Sequence, residues 1–174
     1  MITLYCQEAL DRSDSRFTVR DGILLFNEKP FNGRVENVEP VGRTTTISSY
    51  KDGLLDGKET VHYDNGQVAA ERYYRKAKLV NYSRSWRPDG SDLTYAEYRN
   101  GLHHGDFWSW HANGHPYQYA RYKNGKELGR KVWRASGQIY ANYVNDGKEI
   151  HGFAGSKLCD PVNEQLEAQK KSNQ

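Results

Sequence analysis

Short apolar and aromatic runs alternate with small polar turn residues along most of this chain. Phe17 and Val19 come before Asp21-Gly22, and the apolar run 23–26 follows that pair directly. Asp-Gly and Asn-Gly pairs between such runs are hairpin signals, because both central residues of the favoured two-residue turn need positive φ. The pattern therefore predicts antiparallel strands joined by tight turns from residue 17 onwards.

From residue 50 the pattern repeats about every 24 residues. Each unit begins with a tyrosine three residues before a turn glycine, which Ala77 replaces once, and a second turn glycine follows later in the unit. The gaps between turns leave strands of about 5 to 8 residues, so each unit is one β-hairpin with its link to the next. Three columns of residues carry the repeat: Tyr50, Tyr74, Tyr98 and Tyr122; His62, Trp86, Trp110 and Trp133; and Gly57, Asn81, Gly105 and Gly129.

The last of these columns also predicts backbone conformation. Its one exception to glycine is Asn81, and asparagine is the non-glycine residue that best tolerates the left-handed region. We therefore expect positive φ at every position of the column, including Gly129. A residue with a Cβ costs roughly 1 to 2 kcal/mol when it is held in left-handed geometry. Because Ala77 replaces a turn glycine, we expect the turn at residues 74–78 to take a different shape.

The repeat divides the chain into three segments. Residues 1–16 are polar and irregular, residues 17–155 form the hairpin array, and residues 156–174 form a C-terminal cap and tail. Asp160 followed by Pro161 is a helix-start signal. Val162 and Leu166 give a single apolar pair at helical spacing beyond it, so we expect a short capping helix that gives way to a tail.

Composition favours a thin sheet over a thick core. Hydrophobic residues make up 36% of the 174 residues, below the usual average of about 45 to 50%, whereas aromatic residues reach 13%. The net charge of +3 is too small to indicate nucleic acid, and no apolar run approaches the roughly 18 to 20 residues that span a bilayer. We expect at most peripheral membrane contact. Cys6 and Cys159 are too few for a disulfide framework, and the sequence leaves open whether they are free or bonded.

At this point the repeat units carry a family resemblance. The segments Tyr50-Lys51-Asp52-Gly53-Leu54-Leu55-Asp56-Gly57 and Tyr122-Lys123-Asn124-Gly125-Lys126-Glu127-Leu128-Gly129, together with residues 98–114, resemble the bacterial MORN-repeat-variant family, often labelled YwqK-type antitoxin. The resemblance covers residues 17–155. It implies an all-β fold, an elongated, twisted antiparallel sheet of consecutive β-hairpins that serves as a protein-interaction or scaffold module.

The resemblance also implies a location and a local irregularity. Many members of the family are exported, so we expect a mature form in the bacterial periplasm or cell envelope rather than the cytoplasm. The chain departs from the family pattern at Ala77 and in the turn at residues 87–90. We therefore expect a local distortion in the third hairpin region.

Two features indicate a surface for a protein partner of unknown identity. The segment 72–87 is basic and aromatic with no acidic residue, and the second half of the array is a ladder of aromatic residues. Alternation along a strand puts Trp108 and Trp110 on one face and Phe107 on the other. A single-layer sheet leaves one face open to a peptide or partner. The residues that we predict to bind the partner are Arg72, Arg75, Lys78, Trp86, Trp108, Trp110, Tyr117, Tyr119 and Trp133.

Histidines give an alternative function, a cell-envelope protein that binds copper or zinc. Imidazole is a common ligand for these metals, and a sheet could bring His104 and His111 onto neighbouring strands. The same two histidines also fit the family repeat, which leaves His103 and His115 as the less pattern-bound pair. The weak candidate ligands are His103, His104, His111, His115 and Cys159.

Catalysis has no support in the sequence. The serines lack nucleophile-elbow glycines, and no glycine-rich phosphate loop precedes a helix, because the glycines recur as turn residues. We therefore expect no enzymatic activity and no cofactor. A further alternative, taken from the family label, is an antitoxin that masks a toxin.

Overall fold

A computed structural model describes residues 8–153, and every regular element in that range is a β-strand. No helix within it has the length and apolar character needed to cross a membrane. The predicted capping helix after residue 156 lies outside the described residues. The strands are β1 (Leu10–Asp11), β2 (Phe17–Arg20), β3 (Ile23–Phe26), β4 (Lys29–Pro30), β5 (Gly33–Glu39), β6 (Thr44–Lys51), β7 (Leu54–Tyr63), β8 (Val68–Arg75), β9 (Lys78–Trp86), β10 (Asp92–Arg99), β11 (Leu102–Trp110), β12 (Pro116–Lys123), β13 (Lys126–Trp133), β14 (Ile139–Asn145) and β15 (Ile150–Phe153).

Twelve of these strands form one long, twisted, open sheet in the order β1-β5-β6 and then consecutively to β15. From β5 to β15 each strand runs antiparallel to the next, whereas β1 runs parallel to β5. The predicted all-β array of consecutive hairpins is therefore confirmed. Because each hairpin pairs with the next along the chain, the strands follow each other across the sheet in sequence order. Alternate residues of each strand lie on opposite faces of the sheet.

The N-terminal end contains a separate sheet. Strands β2, β3 and β4 pair antiparallel and form a cap, with the predicted hairpin turn at Asp21-Gly22 joining β2 to β3, and the consecutive strands of the long sheet begin at Gly33. The cap buries Phe17, Leu24 and Phe31 against Val35 of β5. Residues 10 and 11, within the segment predicted to be irregular, pair with β5. The apolar residues that the sequence predicts to form a hairpin from residue 17 do form one, and its side chains also cover the first strand of the long sheet.

One edge of the sheet is made by two-residue turns at 52–53, 76–77, 100–101 and 124–125. The second turn residue donates its backbone N–H to a carbonyl of the preceding unit, as from Gly101 to Leu79 at 2.8 Å and from Gly125 to His103 at 2.8 Å. The same bond joins Ala77 to Leu55 at 2.8 Å. This edge is therefore a ladder of hydrogen bonds that locks each hairpin to the one before it.

The Ala77 turn has the same shape as its counterparts, so the predicted change of shape is wrong. Lys76 and Ala77 have φ values of 49° and 60°, beside 52° and 81° for Asn100 and Gly101. The ladder bond from Ala77 and the register of β8 with β9 hold the alanine in left-handed geometry. The turn tolerates the strain of a left-handed alanine because its contacts with the neighbouring hairpins fix its backbone conformation.

The opposite edge is made by longer turns at residues 63–67, 87–91, 111–115 and 134–138, each closed by a backbone bond from its first to its fifth residue, 2.8 to 2.9 Å long. The Arg87 turn makes the same bonds as the others, so the predicted distortion there is also wrong. These turns are linked as well, because the Tyr63 hydroxyl and the Arg87 guanidinium donate to the carbonyls of Trp86 and Trp110 in the next unit.

Positive φ is confirmed at Gly57, Asn81 and Gly105, with values of 109°, 60° and 116°, but not at Gly129. In β7, residues 56–58 lie opposite the single residue 49 of β6, a bulge that needs the left-handed residue. In β13 only residue 128 is extra. Gly129 has a different reason to lack a side chain, since a Cβ there would lie 2.7 Å from the carbonyl oxygen of Tyr143.

Candidate protein-binding face

Pairing between strands assigns the side chains to the two faces of the long sheet, because residues directly opposite each other on antiparallel strands share a face. Trp108 pairs with Tyr95 on one side and with Tyr119 on the other. We call the face that these residues share the tryptophan face. Phe107 pairs with Ala96 and lies on the opposite face, which confirms the predicted separation of Trp108 from Phe107.

Six rings form a strip across the tryptophan face, one from each of the successive strands β8 to β13. Ring centroids are 5.1 Å apart for Tyr73 and Tyr82, 6.0 Å for Tyr82 and Tyr95, and 4.5 Å for Trp108 and Tyr119. Contacts of this length are typical of favourable aromatic pairs. The members of this aromatic strip are Tyr73, Tyr82, Tyr95, Trp108, Tyr119 and Trp133.

Trp108 is the centre of the strip. Its ring centroid lies 6.3 Å from those of Trp110 and Trp133, and the interplanar angles are 21° and 14°. The ammonium of Lys131 lies 5.3 Å from the Trp133 centroid, a cation–π contact. The tryptophan rings are thus nearly parallel and only half-buried.

Charged side chains around the strip form ion pairs with each other. Arg84 bonds to Asp92 at 2.8 Å and lies 5.0 Å from the ring centroid of Trp86. Neither sign of charge is left in excess by such pairs, so the strip has a nearly neutral border. The pairs on this face are Lys58–Glu71, Arg84–Asp92 and Arg121–Asp106.

Two tyrosines of the strip donate to carboxylates. The hydroxyl of Tyr95 donates to Glu97 at 3.0 Å, and that of Tyr119 donates to Asp106 at 3.0 Å. Burial and then the hydrogen bond to a carboxylate raise the pKa of each phenol. Both hydroxyls therefore stay neutral at physiological pH, and their donated protons are committed within the protein.

A groove opens beside Tyr119, between β12, β13 and β14. Its volume is ≈ 320 Å³, and it is lined by Arg121, Leu128, Lys131 and Val144 among others. The groove extends the aromatic strip towards the C-terminal end of the sheet. It offers room for an apolar group with cationic side chains at its sides.

The structure brings together most, but not all, of the residues that the sequence predicted to bind a partner. Arg72 lies on the opposite face, where it pairs with Glu59 at 2.8 Å. Arg75 and Lys78 pair across a two-residue turn and are exposed at the edge of the sheet. The basic segment is divided in this way because alternate residues of one strand point to opposite faces. The predicted residues on the tryptophan face are Trp86, Trp108, Trp110, Tyr117, Tyr119 and Trp133.

Sequence reasoning missed three members of the strip, Tyr73, Tyr82 and Tyr95, as binding residues. A signal for one of them was present, because Tyr95 stands 24 residues before Tyr119 in the repeat. Tyr73 and Tyr82 have no such counterpart in the strip. Their place follows only from the register that sets β8 against β9.

The opposite face carries internal clusters. Beside the two-residue turns, the tyrosine of each unit pairs with a residue of the next strand on this face. These residues are Leu55, Leu79, His103 and Glu127. His103 stands between two tyrosine rings at centroid distances of 4.5 and 5.0 Å, and its Nδ1 is buried without a partner in the described part of the chain. Burial lowers the pKa of this imidazole. The histidine therefore occupies a position that two other units fill with leucine.

Glu127 is the acceptor in a second cluster on the opposite face. Burial alone would raise the pKa of Glu127, but hydrogen bonds from Arg130 at 2.5 Å, Tyr143 at 2.5 Å and Tyr122 at 3.0 Å outweigh it and hold that pKa below its ordinary value. Glu59 is similarly bonded by Ser48 and Arg72. The polar groups of this face are thus directed at each other.

The predicted histidine ligands lie at different places. His104 lies in β11 and His111 follows the end of the same strand, about 23 Å further along at roughly 3.3 Å per residue, so the two are not on neighbouring strands. Nδ1 of His104 accepts from the Asn124 N–H at 3.3 Å, and Nε2 of His111 lies 2.9 Å from the Trp133 carbonyl oxygen.

The remaining candidate ligands do not complete a site either. His115 directs Nδ1 at the carbonyl oxygen of Ala135 at 3.1 Å, and Cys159 lies outside the described residues. Between residues 8 and 153, no group of three or more histidine, cysteine, aspartate or glutamate side chains could hold a metal ion. Among the predicted ligands, His103 is packed between rings, and His104, His111 and His115 are hydrogen-bonded to residues of the next unit.

No protein-family model matches the sequence, and no curated protein matches it.

Proposed function

We propose that this chain is a non-enzymatic protein-interaction or scaffold module of the MORN-variant type, which binds a protein partner through its tryptophan face. The observation that carries the proposal is the aromatic strip, which crosses six successive strands of that face. The cap of β2 to β4 packs against Val35 and Tyr50 on the opposite face. Within residues 8–153, no second layer covers the strip.

The size and composition of the strip support this function. With strands about 4.8 Å apart, six strands span about 24 Å. A standard interface buries roughly 800 Å² on each partner, which corresponds to a patch about 28 Å across. Tryptophan and tyrosine dominate the binding energy of such interfaces, and large exposed apolar patches mark them on monomers. The strip therefore has nearly the length, and the residue types, of one side of a protein interface.

The proposal is tested by cross-linking followed by a binding measurement. A photoreactive benzoylphenylalanine is placed at Lys131, beside the strip, or at Val41, which is 98% exposed in a turn far along the chain. In the native cell, the probe at Lys131 should cross-link one protein that the probe at Val41 does not capture. This protein is then purified and its affinity for the intact chain is measured.

Substitution then locates the binding energy. Trp108→Ala should weaken binding of the captured protein about 30-fold, since a central hot-spot tryptophan contributes roughly 2 kcal/mol or more. Val41→Ala should leave the affinity unchanged, and circular dichroism of each variant reports whether the sheet is intact. Equal cross-linking from both probes, or an unchanged affinity in folded Trp108→Ala, would refute the proposal.

A further inference from the structure

The four tryptophans of the chain share one face and leave their indole N–H groups unused. In the part of the chain that the structure describes, no hydrogen bond involves an indole nitrogen, and the buried unpartnered nitrogens belong to His103 and Arg130. The indole donors are therefore open to solvent. A ligand on this face meets apolar ring surface together with several free donors, and it needs matching acceptors.

The charges of the same face limit what the ligand can be. Three basic side chains beside the strip are paired with Glu71, Asp92 and Asp106, and Lys131 lies against the Trp133 ring, so no tract of free cations follows the rings within residues 8–153. A polyanion would have to break these pairs to bind. Charge complementarity instead favours an uncharged ligand that is rich in hydrogen-bond acceptors and apolar surface.

We infer that the tryptophan face binds a proline-rich segment of its protein partner in the polyproline II conformation, laid across the strands with Trp108 at its centre. This inference rests on the proposed function and names the class of partner. A polyproline II helix makes no internal hydrogen bonds, so its carbonyl oxygens are free to accept from indole N–H groups. Its pyrrolidine rings pack on aromatic side chains, and its preformed shape lowers the entropy lost on binding.

The strip offers a continuous aromatic surface to this helix. Polyproline II has three residues per turn and rises about 3.1 Å per residue, so the same side of the helix recurs about every 9.3 Å. The rings are closer together than one turn of the helix, since the centroids of Trp108 and Trp133 are 6.3 Å apart and those of Trp108 and Tyr119 are 4.5 Å apart. Every turn of the ligand can therefore contact a ring of the strip. The length of the strip, about 24 Å, accommodates about eight residues of such a helix.

A synthetic decaproline peptide tests the inference directly, with a glycine-serine decapeptide as the control ligand. Binding to the full chain is followed by tryptophan fluorescence and by isothermal titration calorimetry up to 2 mM peptide, on the order of the weakest affinity of interest. Decaproline should bind saturably with one site, and the control peptide should not. Absence of saturable decaproline binding, or equal binding of both peptides, overturns the inference.

Two variants on one strand connect binding to the ring and to its donor. Trp108→Ala should lose at least about tenfold in decaproline affinity, while Trp108→Phe, which keeps a ring but removes the N–H, should fall between it and the intact protein. Phe107→Leu changes the adjacent residue on the opposite face and should leave the affinity unchanged. Equal affinities for the intact protein and folded Trp108→Phe would contradict the role of the indole donor.

The outcome separates this inference from the proposed function. If the probe at Lys131 captures a protein whose binding requires Trp108, but decaproline does not bind, the proposed function stands and the polyproline inference fails. If decaproline binds through Trp108 but no protein is captured from the cell, the polyproline inference stands and the proposed partner in that cell is refuted.

Discussion

The turn at residues 76–77 contains a strain that a single substitution should remove. Ala77 has φ of 60°, in a position that glycine occupies in the turns ending at Gly53, Gly101 and Gly125. Its N–H donates to the Leu55 carbonyl at 2.8 Å, and glycine would keep that bond. Ala77→Gly therefore removes a Cβ from a left-handed residue without removing a hydrogen bond.

The expected size of the effect follows from two opposing contributions. Relief of the left-handed Cβ gains roughly 1 to 2 kcal/mol. The added freedom of glycine in the unfolded chain costs about 0.4 to 1 kcal/mol. The variant should therefore be more stable by about 1 kcal/mol, which raises the melting temperature by about 2 to 4 °C for a chain of this size.

Urea unfolding followed by circular dichroism measures this difference, with Ala112→Gly as the matched control. Ala112 is an exposed alanine in another turn and does not have positive φ, so its replacement should lower stability by about 0.4 to 1 kcal/mol. Opposite signs for the two substitutions would support the argument. A loss of stability in Ala77→Gly as large as that in the control would show that the left-handed alanine is not strained.

Two side chains on the opposite face predict how stability changes with pH. His103 has a lowered pKa in the folded protein, so the unfolded chain takes up the proton first as the pH falls below about 6.5, and stability declines. His103→Leu, the residue that other units carry there, should abolish this decline and add about 1 kcal/mol at pH 8 by removing the unpartnered Nδ1, whereas identical unfolding curves for both proteins at pH 5 would contradict it. Glu127 also has a lowered pKa, so its ionised form contributes stability above the unfolded value near 4.3, and that stability is lost as the pH falls through the folded value. Glu127→Gln should cost about 1 to 2 kcal/mol at pH 7 and much less at pH 3, as urea titrations at the two pH values would show, and an equal cost at both would refute the role of the charge.

The repeat made the hairpins predictable, because the columns of tyrosine and glycine mark every turn along one edge. The repeat does not show that the hydrogen bonds and strand register of neighbouring hairpins can determine the backbone conformation of a single turn. Ala77 is a poor residue for left-handed geometry, yet its ladder bond and strand register impose that geometry. At Gly129 the prediction of positive φ from its column is wrong, because the bulge in β13 is shorter than those in the other units. Glycine is required there because a Cβ would lie too close to the backbone of Tyr143.

The alternation of side chains along a strand predicts part of the candidate site. Alternation separated Trp108 from Phe107, and the structure confirms it. The basic, aromatic composition of segment 72–87 predicts one surface, whereas Arg72 and Tyr73 are adjacent in a strand and therefore face opposite ways. The strip as a whole depends on pairing register across six strands, and register is set by bulges whose size the sequence does not state.

A single-layer sheet can leave an aromatic face open only if its other face supplies much of the stability. Here the cap packs on the opposite face at Val35, and the carboxylate clusters around Glu59 and Glu127 close within that face. Hydrogen bonds along both edges link successive hairpins independently of either face. Stability and recognition are thereby assigned to different side chains of the same strands. The Ala77 turn can hold a strained alanine because its ladder bond to Leu55 is one of the edge hydrogen bonds, and none of those edge bonds within residues 8–153 uses an indole N–H of the tryptophan face.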